Sequence, residues 1–297
     1  MRVRVAAALA IAFAFFATEA RASPRTKVAD ICAGCLASVP SRSDDSAASP
    51  LLVTLHGDWG AMAPELHATW ERFAAPRGVA LLSLTCPSEL GCKRSWWQWN
   101  GDPAWIGQQI DRLAARHAID RERVWLAGWS GGATYIGMHT QELERTFAAL
   151  VFHGGGRWPS RPDCSPEKAP AVFLVGDQNP LHAHVLKLRE HYEHCGNEVS
   201  FMLLRGAEHT GEWSALDKRG GEILDLLATR RRVAVAAPPS FTPSPAPTVQ
   251  DAGAAQPEPV RPRAGCGCDL TTRSPRPSWL VAATLFALAW RRRALPR

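Results

Sequence analysis

Six apolar runs divide the central part of the chain, and each is closed by a glycine or a proline at or next to its end. They cover residues 50–57, 79–87, 123–128, 148–154, 170–177 and 199–206. Runs that do not alternate between apolar and polar positions are typical of strands buried on both faces of a parallel sheet. The pattern therefore predicts six buried strands.

Segments with helical periodicity alternate with these runs. They lie at residues 63–75, 105–117, 133–145, 182–195 and 220–232. Alternation of strands and helices predicts an α/β fold, with a mostly parallel sheet and helices on both faces. Ligands bind such sheets at the carboxyl ends of the strands, so the loops that follow the strands are the place to look for chemistry.

The first 22 residues predict a secretory signal peptide. Arg2 and Arg4 precede an apolar core at residues 5–17, and an A-x-A cleavage site stands directly before Ser23. A retained membrane anchor is the alternative, but this apolar core is shorter than the roughly 20 residues that a spanning helix needs. We expect an exported protein whose mature chain begins at Ser23.

The other end of the chain has three parts in a fixed order. Residues 238–263 are rich in Pro and Ala and predict an extended linker. Residues 264–297 then carry a Gly-Cys segment at Cys266, a short apolar segment at 279–290 and an arginine cluster at 291–293. This order resembles the MYXO-CTERM sorting tail, which implies processing by a sorting protease and a membrane or cell-surface tether.

The apolar segment of that tail is short for a permanent anchor. Its residues 279–290 reach about 18 Å as a helix, against a bilayer core of roughly 30 Å. Transient recognition followed by removal fits this length better than the alternative, a retained transmembrane helix.

Removal of both ends leaves residues 23–237, the size of one globular domain. The formal net charge of the whole chain is +6 at pH 7, but many of its arginines lie in the two terminal segments. The positive net charge therefore does not predict a nucleic-acid partner.

The cysteines of the central domain predict disulfides, because export places them in an oxidising compartment. The expected pairs are Cys32–Cys35, Cys86–Cys92 and Cys164–Cys195. Zinc binding by Cys32 and Cys35 is the alternative, and it lacks a second C-x-x-C or histidine pair at a suitable spacing. The histidines of residues 182–195 also lack a completing ligand set, so no metal or other cofactor is expected.

A Gly-x-Ser-x-Gly motif lies at the boundary between a predicted strand and a predicted helix, in "VWLAGWSGGATYIGM" (residues 124–138). The strand-to-helix turn is the context of a nucleophile elbow, where the glycines let the backbone pass closely and the serine hydroxyl is exposed. Ser130 is therefore the predicted nucleophile. A serine that only caps a helix is the alternative.

A serine hydroxyl needs a base and an orienting acid before it can act as a nucleophile. His209 follows the last apolar run and Asp177 closes the run before it, which gives the order Ser, Asp, His. We predict Asp177 as the acid and His209 as the base. Acidic residues that compete with Asp177 are Glu208, Asp217 and, more weakly, Asp163.

An acyl-transfer site also needs donors for the oxyanion. The loop "LHGDWG" after the first apolar run offers the backbone N–H of Asp58 or Trp59, and the residue after the nucleophile offers that of Gly131. A purely turn-forming role for Asp58 is the alternative.

Four segments carry a family resemblance: "LHGDWG" (55–60), "DRERVWLAGWSGGA" (120–133), "VGDQNP" (175–180) and "GAEHTGEW" (206–213). Residues 50–227 resemble the α/β-hydrolase superfamily, and residues 105–132 resemble secreted esterases related to polyhydroxybutyrate depolymerases and feruloyl esterases. The resemblance implies that Ser130, Asp177 and His209 act as nucleophile, acid and base on a carboxylic ester.

A tryptophan-rich loop departs from that resemblance and leaves the substrate open. We predict that Trp96, Trp97, Trp99 and Trp129 contact a polymeric or carbohydrate-linked ester. Packing of the loop onto the domain is an equally weighted alternative. Two other functions are weighed against an esterase: a peptidase of the same fold and a surface protein that binds carbohydrate without catalysis.

Overall fold

The computed structural model describes residues 25–41, 47–58 and 63–232. Its contacts divide the chain into a unit of Met1–Pro239 and a unit of Ser240–Arg297, and all the described residues belong to the first. The predicted signal peptide, linker and sorting tail lie outside the described residues. Within the described ranges, no helix is long and apolar enough to cross a membrane.

Eight strands form one sheet in the order β1-β2-β4-β3-β5-β6-β7-β8. Their bounds are β1 Arg25–Val28, β2 Leu36–Pro40, β3 Ser49–Leu55, β4 Ala80–Leu84, β5 Ile119–Trp129, β6 Ala149–His153, β7 Ala171–Gly176 and β8 Val199–Leu204. Strands β3 to β8 pair in parallel, while β1 and β2 are antiparallel additions next to β4. The six predicted strands and their parallel arrangement are confirmed.

Helices cover both faces of the sheet. They are α1 Ala63–Ala74, α2 Ala104–Ala114, α3 Gly131–Met138, α4 Thr140–Glu144, α5 His182–His194 and α6 His209–Ala228. One buried cluster joins the sheet to α2, α3 and α5, and a second joins its other face to α1 and α6. Side chains alternate along β3, where Leu51 and Val53 enter the first cluster and Leu52 the second. This explains why the strands read as unbroken apolar runs.

Two helices differ from their predicted bounds. The segment predicted as one helix at 133–145 is divided at His139, whose backbone leaves the helical region (φ −115°, ψ 25°). The last helix was predicted to start at residue 220, but α6 begins at His209. Gly211, Gly220 and Gly221 weaken its helical pattern in the sequence, since glycine is a poor helix former.

The three expected disulfides are present: Cys32–Cys35, Cys86–Cys92 and Cys164–Cys195. The second closes the start of the tryptophan-rich loop after β4. The third joins the segment after β6 to the residue that caps α5. The Cys86–Cys92 disulfide therefore covalently fixes a loop that follows a strand at the carboxyl edge of the sheet.

Candidate active site

Ser130 lies in a tight turn between β5 and α3. Its backbone has φ 51° and ψ −108°, a region that residues with a side chain rarely adopt. The turn is held by the Ser130 N–H, which donates to the His153 carbonyl at 2.9 Å. A Cβ at Gly128 would stand 2.4 Å from the Ala133 nitrogen, and one at Gly132 would stand 2.5 Å from the Leu55 oxygen. Both motif glycines are thus required by close backbone contacts, as in a nucleophile elbow.

A chain of hydrogen bonds leads from this serine to a carboxylate. The Ser130 hydroxyl lies 2.8 Å from His209 Nε2, and His209 Nδ1 lies 2.9 Å from Glu212 Oε2. With the ring protonated on Nδ1, Nε2 accepts the hydroxyl proton and Nδ1–H donates to the carboxylate. His209 is the first residue of α6 and Glu212 lies three residues later, so both side chains share one face of the helix.

The Glu212 carboxylate is fully buried, with no exposed side-chain surface. Its Oε1 accepts the Gly176 N–H at 2.5 Å, and the Asn179 side-chain amide donates to both carboxylate oxygens at 2.8 and 2.6 Å. Asn179 is oriented in turn, because its carbonyl oxygen accepts the Leu181 N–H at 2.7 Å. These donors replace the water that a buried carboxylate loses.

Asp177 does not lie on the imidazole, so its prediction as the acid is corrected. It ends the β7 segment as expected, but its Oδ1 accepts the Gly206 N–H at 2.7 Å and ties together the two turns that follow β7 and β8. The competing acids are also elsewhere: Glu208 and Asp163 are exposed, and Asp217 forms an ion pair with Arg72 on the surface.

Glu212 does not stand out in the sequence because the apolar pattern predicts the start of the last helix eleven residues too late. With α6 beginning at His209, the spacing His-x-x-Glu in "EHTGEW" already puts the two side chains on one helical face. The glutamate three residues after the candidate base His209 is the feature of the sequence that could have identified Glu212.

The loop after β3 lies against the nucleophile turn, as predicted for an oxyanion site. His56 is buried and fixes the loop, since its Nδ1–H donates to the Gly57 oxygen at 2.5 Å and its Nε2 accepts the Cys86 N–H at 3.1 Å. Burial lowers the pKa of His56, which agrees with the neutral ring that this pairing requires. Trp59, one of the two expected donors from this loop, lies outside the described residues.

Asp58 and Gly131 are close neighbours in this arrangement. A Cβ on Gly131 would stand 2.1 Å from Asp58 Oδ1, so the loop and the first residue of α3 meet only because residue 131 is glycine. The Asp58 carboxylate is anchored by two donors, the Ser95 hydroxyl at 2.8 Å and the Trp97 indole at 2.5 Å. Donation to an oxyanion by the backbone of Asp58 and Gly131 stays a prediction.

The four tryptophans predicted to bind substrate separate into two groups. Trp96 and Trp99 are 0% and 5% exposed and pack against Trp105 and Tyr135, so they belong to the core. For Trp96 and Trp99, the structure therefore supports packing onto the domain rather than contact with a substrate. Trp97 and Trp129 line the cavities at the nucleophile.

Trp129 also contacts the predicted base. Its ring lies parallel to the His209 imidazole, with 4° between the planes and 4.7 Å between the centroids. Trp213 packs edge-on against the same indole at 5.3 Å. An aromatic face in this position attracts a positively charged imidazolium.

Two cavities meet at Ser130 and Asp58. The larger, about 630 Å³, is lined mainly by the apolar or aromatic side chains of Trp129, Pro180, Leu181 and Trp213. The smaller, about 380 Å³, extends past Gly131 and Trp97 to Arg157 and His184. In the described part of the chain, no three His, Cys, Asp or Glu side chains converge as a metal site.

Known proteins with similar structures are esterases and hydrolases. A thermostable esterase aligns with a TM-score of 0.55 and 19% identity over 67% of this chain and 59% of its own. An S-formylglutathione hydrolase from Staphylococcus aureus aligns at 0.53 and 13% over 70% and 98%. A truncated carbohydrate esterase from gut microbiota aligns at 0.52 and 14% over 71% and 97%. The chain has the α/β-hydrolase fold. In this α/β-hydrolase domain, the site described above lies at the carboxyl ends of β5, β7 and β8.

Sequence comparison finds a shorter similarity. No protein-family profile matches the chain. Over 106 residues the chain is 30% identical to a bifunctional acetylxylan esterase/xylanase from Neocallimastix patriciarum. This match covers 35% of the chain and spans 15% of the length of that curated relative.

Proposed function

We propose that this protein is a serine hydrolase that cleaves carboxylic esters. The observation that carries the proposal is the continuous hydrogen-bond chain from Ser130 through His209 to the buried Glu212, at the floor of two open cavities. The α/β-hydrolase fold and the local similarity to an acetylxylan esterase/xylanase support it.

The proposed reaction has two acyl-transfer steps. Ser130 Oγ attacks the ester carbonyl while His209 Nε2 takes its proton, and the imidazolium then gives that proton to the departing alcohol. Water next attacks the acyl-serine, loses a proton to His209, and releases the carboxylic acid as Ser130 is reprotonated. Glu212 fixes the imidazole tautomer and stabilises the imidazolium, a role that Asn179 and Gly176 support by holding the carboxylate. No cofactor takes part in these steps.

The oxyanion of each tetrahedral intermediate would be held by the backbone N–H groups of Asp58 and Gly131. Gly131 is the first residue of α3, whose amino-terminal end favours negative charge. The anchored Asp58 side chain keeps the opposing loop in place beside it.

An ester of a carbohydrate, or of a polymer, is the proposed substrate class. The curated relative is named for acetylxylan, and one similar structure is a carbohydrate esterase. The wide junction of the two cavities leaves room for groups on both sides of the scissile ester. The three disulfides support the further proposal that the protein is exported. We also propose, from the sequence alone, that a sorting protease processes the tail and that the protein is then tethered to the membrane or cell surface.

The test is hydrolysis of 4-nitrophenyl acetate and butyrate together with labelling by a fluorophosphonate probe. Ser130→Ala should abolish labelling and lower kcat at least about 10³-fold. Ser88→Ala, which changes an exposed serine away from both cavities, should label and turn over like the unchanged protein. A folded protein that neither labels nor turns over esters, or that cleaves peptides in preference to esters, would contradict the proposal.

A further inference from the structure

The two cavities at the nucleophile differ in charge. The larger one is walled by Trp129, Trp213, Leu181 and Pro180, which carry no charge. The smaller one has Arg157 and His184 in its wall. Asp58 lines both cavities, and Arg157 adds a positive charge to the lining of the smaller one.

The backbone that carries Arg157 is fixed by glycines. The chain leaves β6 through Gly154 and Gly156, whose φ angles of 63° and 151° exclude most side chains. It then passes directly against α3, where a Cβ at Gly137 would stand 2.5 Å from the Arg157 oxygen and 2.8 Å from its nitrogen. The Arg157 backbone is thus held at one place beside the cavity.

The Arg157 guanidinium has no internal partner among residues 25–41, 47–58 and 63–232, since no hydrogen bond or ion pair there involves it. The carboxylate in the same cavity, Asp58, already accepts hydrogen bonds from Ser95 and Trp97. The neighbouring Arg161 differs from Arg157, because Arg161 pairs with Glu142 at 3.4 Å. Arg157 is available to a ligand.

We propose that the smaller cavity binds a carboxylate group of the substrate through Arg157, so that the enzyme prefers anionic esters. This inference rests on the proposed ester hydrolysis at Ser130. A guanidinium offers two parallel donors that match the two oxygens of a carboxylate.

Two other basic residues, Lys93 and Arg94, stand beside the tryptophan-rich loop. Both are exposed, and neither lines the two cavities at the nucleophile. The structure brings Arg157 to that place from the segment after β6.

The test compares anionic esters with neutral analogues whose carboxylate is methylated, and hydrolysis is followed as release of acetate for the first pair and as rate per methyl ester for the second. One pair is 4-acetoxybenzoate and its neutral methyl ester, which differ on the alcohol side. The other is monomethyl glutarate and dimethyl glutarate, which differ on the acyl side. For at least one pair, kcat/KM of the unchanged protein should favour the anion. Arg157→Gln should lower kcat/KM about tenfold for that anion and leave the neutral ester within about twofold.

Arg161→Gln is the matched control, because it removes the same charge from a nearby exposed arginine that does not line the cavity. It should leave both members of each pair unchanged. Equal effects of Arg157→Gln on charged and neutral esters, or equal effects of the two arginine variants, would overturn the inference. Failure of the proposed function is distinguishable, because no ester of either pair would then be hydrolysed and Ser130 would not be labelled.

Discussion

Replacement of Glu212 by glutamine tests the acid of the proposed triad. The carboxylate accepts hydrogen bonds from His209, Gly176 and Asn179 and has no exposed surface. A glutamine in the same place has one oxygen and one NH2 group, so the NH2 group faces either the His209 Nδ1–H or the Gly176 N–H. One buried donor is left unpaired in either orientation.

The size of the effect follows from these contacts. A hydrogen bond to a charged group contributes about 1.5–3 kcal/mol, which corresponds to roughly 10- to 150-fold in rate. Loss of the negative charge that offsets the imidazolium adds to this, and in serine proteases the equivalent change costs about 10⁴ in kcat. We expect Glu212→Gln to lower kcat about 10³- to 10⁴-fold. The unpaired donor should also lower the free energy of unfolding by about 1–3 kcal/mol.

Asp177→Asn is the matched control, because it also removes one negative charge at the end of β7. Asp177 accepts one short backbone hydrogen bond near the surface, so activity should stay within about twofold and stability within about 1 kcal/mol. The assay is kcat for 4-nitrophenyl acetate, with thermal unfolding to show that each variant is folded. A folded Glu212→Gln protein within tenfold of full activity, or a 10³-fold loss in Asp177→Asn, would refute the reasoning.

Three further predictions concern groups around the nucleophile. Trp129→Leu removes the ring stacked on the His209 imidazole and should lower kcat/KM about 2- to 30-fold; an unchanged value in a folded variant would show that the stacking does not assist catalysis. Burial lowers the pKa of His153 to about 4 from 6.5, so the unfolded chain binds a proton that the folded chain excludes between these values. Stability should therefore fall as pH falls through this window, and His153→Gln should reduce the difference in unfolding free energy between pH 7.5 and 5.0 by about 2 kcal/mol; denaturant titrations with the same difference would contradict this. Gly128→Ala should lower the unfolding free energy by about 1–3 kcal/mol, because its Cβ has no space, whereas Gly107→Ala on α2 meets nothing within 4 Å and should be neutral or stabilising in the same melts.

The parallel strands were predictable because the apolar residues of each strand stand together in one short run of the sequence. Strands β3, β4, β6 and β7 are almost entirely buried, β5 is buried from Val124 onward and β8 is half-buried, and apolar runs mark these segments in the sequence. Strands β1 and β2 gave no such signal. Lys27 and Thr26 are exposed on β1, and β2 has only five residues, two of them Ser38 and Pro40. The edge strand β1 has no buried residue, whereas β2 is mostly buried but too short and too mixed in composition to stand out in the sequence.

The candidate site was predictable in the parts that depend on local sequence. The elbow around Ser130 is set by glycines a few residues away, so its motif already describes its geometry. The proposed acid, Glu212, was missed because its position next to His209 depends on where α6 begins, and Gly211 weakens the helical pattern at that place. The burial of Trp96 and Trp99 was also hidden, because their partner Tyr135 lies more than thirty residues away in the chain.

The proposed base and its proposed acid lie together on one short segment of the chain. His209 and Glu212 lie within one turn at the start of α6, while the nucleophile lies 79 residues away from the histidine in the chain. A graft of the segment from residue 206 to residue 213 would carry the pair together into another enzyme of this fold. The host would need to supply the donors that hold the carboxylate, here Gly176 and Asn179 at the end of β7. A chimera of related enzymes with its crossover just before α6 should therefore be active only when the parent that contributes β7 places a side-chain amide, like that of Asn179, at the end of this strand.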